Sequence, residues 1–339
     1  MRIFAAIYII LPFLLISCGT QAKPAGPSNS EKNLFQIIIN GKFGFINHVG
    51  NIVINPIYDA VMKFSEGLAP VKIGEEWGYI NENGGMVITP KYFSASQFSE
   101  SLASINMGSH DNFGFINKHG DIVIKPQFTN AYDFHDGLAP VALGKKWGFV
   151  NKKGDMVVPT EYDKAHMFSE GLARVRKGGK FGFLNNQGNI AIGIKYDMAR
   201  NFRDGLAAVE IDGKYGFIDK TGKIVIKPQY ELAVDFSEGL APVKINSKWG
   251  YIAKNNEIII QPQYDIARPF SEGIAVIAMG SFSFRESPQK GYINKDGEII
   301  VEPRYSYAED FLGGLGRVMV EGKYGYINKK GGYVWKPTI

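Results

Sequence analysis

From residue 34 onward the chain is a succession of short apolar runs broken by clusters of Gly, Asn, Asp and Lys. One stretch shows the grammar: Leu240-Ala241-Pro242-Val243-Lys244-Ile245, then Trp249-Gly250-Tyr251-Ile252, then Glu257-Ile258-Ile259-Ile260. The runs are strand-sized and rich in β-branched and aromatic residues, which fit a pleated surface, so three strands per unit are predicted. Between the second and third runs stand Asn47-His48-Val49-Gly50, Asn117-Lys118-His119-Gly120, Asn151-Lys152-Lys153-Gly154 and similar tetrads. Asn first and Gly fourth suit a type I turn closed by a left-handed residue, a common hairpin connection. The seventh unit lacks that Gly and has Asn256, a residue that tolerates positive φ.

An aromatic-Gly pair sets the period: Phe43-Gly44, Trp77-Gly78, Phe113-Gly114, Trp147-Gly148, Phe181-Gly182, Tyr215-Gly216, Trp249-Gly250 and Tyr324-Gly325, with Lys290-Gly291 standing in once. Most steps are 34 residues, as from Gly44 to Gly78, so nine copies of one unit are present and its loops vary. Length alone would suggest two domains of roughly 150 residues, but the repeat overrides that arithmetic. The third run usually ends in proline, as at Pro56, Pro90, Pro126 and Pro159, which removes a ladder donor. Pro70, Pro140 and Pro242 in the first run place that strand at a sheet edge and the aromatic-Gly strand in the middle of a three-stranded meander. Trp77 and Tyr79 point to one face of that strand, Gly78 and Ile80 to the other, so neighbouring units must cover both faces. In the connecting segments, such as Phe236-Ser237-Glu238-Gly239, the Phe reads as a core plug and the Gly as the turn into the next unit.

The expected fold is all-β, an open superhelical array of nine three-stranded antiparallel β-meander repeats; the alternative is a closed, β-propeller-like ring. Propellers usually have four to eight four-stranded blades and many close by sharing a strand between the termini. Here Leu34 to Ile39 begins a first strand and Tyr333 to Lys336 finishes a third, which favours the open array.

Two motifs, Lys-Trp-Gly-Phe-Val-Asn at Lys146 to Asn151 and Phe-Ser-Glu-Gly-Leu-Ala at Phe236 to Ala241, recur in phase. Over residues 34 to 339 the chain resembles the WG (KWG) repeat family, widespread in bacterial proteins. That family is defined by its repeat, and the resemblance implies no particular activity.

The first residues differ in kind. Met1 and Arg2 precede an apolar run, Ile3 to Ile16, too short to span a bilayer in the usual ~20-residue way, which reads as a signal peptide. Leu15-Ile16-Ser17-Cys18-Gly19 resembles the lipobox of bacterial lipoproteins, and the resemblance implies cleavage before Cys18 and lipidation of its thiol. Cys18 is the only cysteine. The segment to residue 33, with Pro24, Gly26, Pro27 and Ser28, has no large aliphatic residue and reads as a flexible tether. The expected organisation is therefore 1–17 signal peptide, 18–33 lipidated cysteine and tether, and 34–339 repeat domain. It implies a membrane attachment through Cys18 in the bacterial cell envelope. Gly19 lacks the aspartate tied to inner-membrane retention in lipoproteins, which favours the outer membrane where there are two.

Composition changes the picture little. With 45% hydrophobic and 21% charged residues the chain can bury a core. A formal charge of +5, spread through every repeat, argues against a nucleic-acid partner, which would need clustered Lys and Arg. The histidines, His48, His110, His119, His135 and His166, show no ligand spacing, so no metal and no cofactor is expected. Glu66, Glu100, Asp136, Glu170, Asp204, Glu238 and Glu272 share one repeat position; identical environments cannot make an acid and a base, so they read as turn residues. Lys42, Lys146, Lys180, Lys214, Lys248 and Lys323 form a second row, whose plain role is to guard strand edges and whose functional role would be to hold an acidic polymer. The regular pattern breaks in the eighth unit, where an insertion from Met279 to Gln289 carries Phe282, Phe284 and Arg285, next to Lys290 in place of the aromatic. These four residues are the candidate binding site, because insertions in repeats map to loops on one face. The expected function is that of a non-enzymatic, lipid-anchored scaffold for an envelope protein, with a glycan or acidic polymer as the alternative ligand.

Overall fold

In the computed structural model, which describes residues 33–108, 112–280 and 288–337, every regular element is a β-strand. The first unit folds into β1 (Phe35–Ile39), β2 (Lys42–Ile46) and β3 (Ile52–Tyr58), a three-stranded antiparallel sheet. The second folds into β4 (Ala60–Val61), β5 (Leu68–Ile73), β6 (Glu76–Asn81) and β7 (Met86–Tyr92), hydrogen-bonded in that order. Seven further four-stranded sheets repeat it, giving nine blades numbered here in chain order. The Asn-to-Gly hairpins form as expected: the Gly50 N–H donates to the Asn47 carbonyl at 3.0 Å, and Asn47 Oδ1 accepts from Val49 and Asn51. Asn256 takes the left-handed conformation at φ 69°.

The extra strand comes from the segments read as plain connections. In Ser65-Glu66-Gly67-Leu68, Ser65 and Leu68 exchange two backbone hydrogen bonds, and Glu66 and Gly67 both have positive φ. That is a two-residue hairpin of the primed kind, and it folds the connection back on β5 as a strand of the following blade. Pro70 is therefore interior: β5 lies between β4 and β6. Its carbonyl accepts from Met62, so its nitrogen faces the same neighbour, where the chain bulges through Lys63 and Phe64 and needs no donor.

Proline at the end of the third run does not stop the ladder either. Trp77 pairs with Tyr92 and Tyr79 with Ile88, so β7 carries a bulge opposite Gly78, with Pro90 inside it. A Cβ on Gly78 would lie 2.4 Å from the Ile88 carbonyl oxygen and 2.7 Å from the Pro90 nitrogen. The repeat needs glycine there because two backbones meet, and proline because the bulge leaves an N–H without a partner.

The open array is overturned: the nine blades form a ring, like a nine-bladed β-propeller. Nine sheets in a row share eight interfaces, whereas the buried residues fall into nine clusters, each spanning two blades. The ninth cluster joins Phe35, Ile37 and Ile46 of blade 1 to Leu315 and Tyr326 of blade 9. Closure needs no shared strand, because every blade docks on the next through side chains. The second aromatic of the central strand packs on the connecting Phe of the following blade, as Tyr79 on Phe98 at 4.9 Å and Phe115 on Phe134 at 4.8 Å. These pairs are buried, except that Phe64 opposite Phe45 is only half-buried, and a fully buried Phe or Tyr contributes on the order of 1.5–3 kcal/mol. The first aromatic, as in Trp77, Trp147 and Trp249, is only half-buried and flanks these clusters.

Candidate functional site

Both rims of the ring are built from charged residues that hold blades together. On the rim carrying the Ser65–Leu68 hairpins, Glu66 of blade 2 accepts from Ser101 N–H of blade 3 at 3.1 Å and pairs with Lys118 at 3.0 Å. Glu100, Glu170, Glu238 and Glu272 do the same with Gly137, Gly205, Gly273 and Gly313, and with Lys152, Lys220, Lys295 and Lys329. Asp136 and Asp204 make the amide bond, to Gly171 and Gly239. The carboxylate row is thus a set of inter-blade staples, each residue held at φ between 51° and 55° in the left-handed region.

The lysine row lies on the opposite rim, at the other end of the strands. Lys42, Lys146 and Lys248 each meet an aspartate, Asp59, Asp163 and Asp265, at 2.6 Å, and Lys180 meets Asp197. Those aspartates also accept backbone N–H groups of the next blade, from Gly74, Gly178, Gly280 and Asp212. Four of the six lysines therefore spend their charge on the ring, and the expected basic stripe is largely neutralised in place.

The residues that depart from the repeat gather mainly on the first strands and in the segments that follow them, on the side facing the axis. Asp310 of blade 9 shows that these strands converge. Burial raises its carboxyl above the ordinary carboxylate range, Arg268 of blade 8 opposes this at 3.0 Å, and Lys63 of blade 2 and Arg203 of blade 6 also oppose it from a distance. Charges from blades so far apart can act on one carboxylate only across a central channel. Burial likewise raises Asp133 and Asp235, the latter against Arg200, Arg203 and Arg174. Burial pushes His166 down to about 3, helped by Arg174 and Lys164, so its imidazole is neutral. Asp235 Oδ1, Asp310 Oδ1, Asn201 Oδ1 and Arg203 Nε are buried without a hydrogen-bond partner among the described residues. None of these residues stood out when the units were read singly. Lining the units up would have exposed them, since Arg203 occupies the place of Ser65, Ser99, Ser169, Ser237 and Ser271.

Among the four residues of the expected binding site, Phe282, Phe284 and Arg285 lie outside the described residues, as do Cys18 and His110. Lys290 is described: it pairs with Tyr305 and Ala278 where other blades have the half-buried aromatic, and its ammonium donates to the Ser306 carbonyl at 2.9 Å. Burial lowers its pKa from the usual lysine value. Among the described residues no group of three or more His, Cys, Asp or Glu is placed to hold a metal ion.

A closed ring of small antiparallel sheets around a polar channel, stapled blade to blade along both rims, defines a β-propeller-like repeat protein. The chain belongs to the WG-containing repeat family, which matches it eight times, at residues 43–77, 77–109, 113–147, 147–181, 181–215, 215–249, 249–281 and 291–324. No curated protein matches it significantly in sequence. In fold it is similar to the crystal structure of a eukaryotic initiation factor, with a TM-score of 0.64 at 11% identity over 89% of this chain and 95% of that one. A looser likeness is to the dihydro-heme d1 dehydrogenase NirN in complex with DHE, with a TM-score of 0.48 at 10% identity over 92% of this chain and 74% of that one.

Proposed function

We propose that this protein is a non-enzymatic binding scaffold, tethered by lipid on Cys18 to the bacterial cell envelope and engaging an envelope protein through surfaces that the repeat leaves free. One observation carries the reading. Positions that build the ring bear the same residue types in blade after blade, while departures concentrate on and just after the first strands and in the Met279–Gln289 insertion. A ring whose rim charges are spent on staples is rigid, and rigid repeat frameworks present binding residues on variable positions. Two acyl chains or more anchor stably where one is marginal, which the lipoprotein modification supplies.

Two experiments test the reading. Cys18→Ser should abolish fatty-acid incorporation and leave unprocessed precursor; undiminished palmitate labelling refutes the anchor. Changing Phe282 and Phe284 together to Ser should leave the melting temperature unchanged and abolish capture of the partner from detergent-solubilised envelope. Early melting with intact capture refutes the contact.

A further inference from the structure

Eight of the nine interfaces contain a linker that carries the chain from one blade into the first strand of the next. Tyr58-Asp59-Ala60-Val61, Tyr162-Asp163-Lys164-Ala165, Tyr196-Asp197-Met198-Ala199 and Tyr264-Asp265-Ile266-Ala267 show its type. Its aromatic and its Ala or Val pack in all eight of these interfaces, as Tyr196 with Ala199 and Tyr264 with Ala267. The cluster that closes the ring, Phe35, Ile37, Ile46, Leu315 and Tyr326, contains neither.

The seam between blades 9 and 1 keeps the groups that a linker would satisfy. Elsewhere the linker's aspartate joins a lysine of one blade to a backbone N–H of the next: Asp59 takes Lys42 at 2.6 Å and the Gly74 N–H at 2.8 Å. Asp163 and Asp265 repeat this with Lys146 and Gly178 and with Lys248 and Gly280. By register, Lys323 of blade 9 holds the place of Lys42, and Asn40 of blade 1 that of Gly74. Lys323 is half-buried, and neither its ammonium nor the Asn40 N–H meets a carboxylate among the described residues. The backbone of β1 is open as well. Ile39 pairs with Lys42 across a two-residue turn, so alternate residues bond to β2, and the N–H and C=O groups of Gln36 and Ile38 point the other way. The Gln36 carbonyl is taken by Tyr326, which leaves Ile38. At the matching residues Lys72 and Ala278 the carbonyl accepts from the linker's Asp59 and Asp265 N–H groups, at 3.0 and 2.9 Å. A cavity of about 170 Å³ lined by Ile38, Gly322, Lys323 and Tyr324 brings the free edge and the lysine around one space.

What fits this space follows from what the linkers supply elsewhere. The edge at Ile38 calls for an extended backbone, Lys323 for a carboxylate, and the thin closing cluster for an aromatic and a small residue on either side of it. Residues 1–32 and 338–339 contain no aspartate, and a second copy has its eight linkers built into its own ring. We propose that the seam between blades 9 and 1 binds an extended segment of a partner protein, of the type Tyr-Asp-x-Ala, which adds to β1 as the first strand that blade 1 lacks. Adding a strand to an exposed edge draws affinity from the backbone and specificity from the side chains between. The inference rests on the scaffold reading only in taking the occupant to be a protein; it needs neither the lipid anchor nor the Met279–Gln289 insertion.

The test titrates the full chain into a labelled, end-blocked peptide Gln-Tyr-Asp-Ile-Ala-Arg, the sequence of residues 263–268, and follows fluorescence anisotropy. Saturable binding is expected. It should weaken about tenfold when asparagine replaces the peptide's aspartate, and about as much when the N–H of that aspartate is methylated. Lys323→Ala should melt as the parent does, bind the peptide about tenfold more weakly and no longer tell aspartate from asparagine. Lys42→Ala, at the filled interface between blades 1 and 2, should bind the peptide as the parent does. No saturable binding to the full chain, or binding unchanged in Lys323→Ala, overturns the proposal. A homodimer that sedimentation detects and Lys323→Ala dissolves assigns the seam to a second copy and overturns it too.

Discussion

The hydroxyl of Tyr326 donates to the backbone carbonyl of Gln36 at 2.8 Å, across 290 residues of chain. The same bond joins ordinary neighbours: Tyr79 to the Ser96 carbonyl, Tyr251 to Arg268 and Tyr292 to Glu309. Blade 9 therefore meets blade 1 through the contact that joins blade 2 to blade 3, and the closing interface differs only in having no first strand from blade 1 among the described residues. Tyr326→Phe should cost about 1 kcal/mol, the net worth of a hydrogen bond, and Tyr326→Ala about 3–5 kcal/mol through the cavity at the closing interface. Urea unfolding measures both. A Tyr326→Ala protein as stable as the parent would show that the ring does not close there.

Glycine in the aromatic-Gly pair is fixed by the bulge opposite it. A Cβ at Gly148 would sit 2.3 Å from the Val158 carbonyl oxygen, whereas one at Gly193 meets nothing within 4 Å. Gly148→Ala should destabilise by several kcal/mol, in the range of severe core clashes, and Gly193→Ala should be neutral or slightly stabilising. Thermal melts of the pair decide it, and equal losses would contradict the bulge.

Glu238 combines a staple with an unfavourable backbone, at φ 54°. Its carboxylate holds Gly273 N–H at 3.0 Å and Lys295 at 3.1 Å. Glu238→Ala loses both bonds and keeps the left-handed cost, for a total of about 1–2 kcal/mol, the ion pair itself being partly exposed and worth less than the amide bond. Glu238→Gly loses the same bonds but relieves the backbone, so it should be the milder change, the reverse of the order expected in a regular strand. Denaturant midpoints of the two variants provide the comparison; a milder alanine would refute it.

His166 makes stability depend on acid. Its folded pKa, lowered to about 3, lies below the ordinary histidine value of 6.5. Between those values the unfolded chain takes up a proton that the folded chain refuses, so stability falls as pH drops from about 6.5 toward 3. Asp133, Asp235 and Asp310, raised by burial, contribute the opposite slope above the ordinary carboxylate range. His166→Gln, which leaves those carboxylates in place, should flatten the part of the decline below pH 6.5 that the imidazole causes. Melting temperatures across that window measure it, and an unchanged profile would contradict the burial of the imidazole.

Local chemistry was legible in the chain. The Asn-to-Gly tetrads, including Asn256, specified their hairpins because backbone φ preferences act within four residues, and the period of Gly44, Gly78 and their successors specified nine units of one β sheet each. The turn role of the carboxylate row was likewise implied by its repetition. What adjacent residues could not reveal was which strand the segment from Tyr58 to Leu68 would join. Pro70 and Pro90 each remove a donor wherever they sit; only the bulges at Lys63–Phe64 and opposite Gly78 decided that these prolines lie within sheets and not at their ends. Ring or open array was also beyond the sequence, since both bury the same faces of every middle blade and differ only in whether Tyr326 finds Gln36. The angle between successive blades decides that, and it is summed over nine interfaces of packed aromatics, where no single residue carries the signal. The channel followed from the same closure: Arg203, Asp235 and Asp310 became neighbours because the first strands turn inward around one axis.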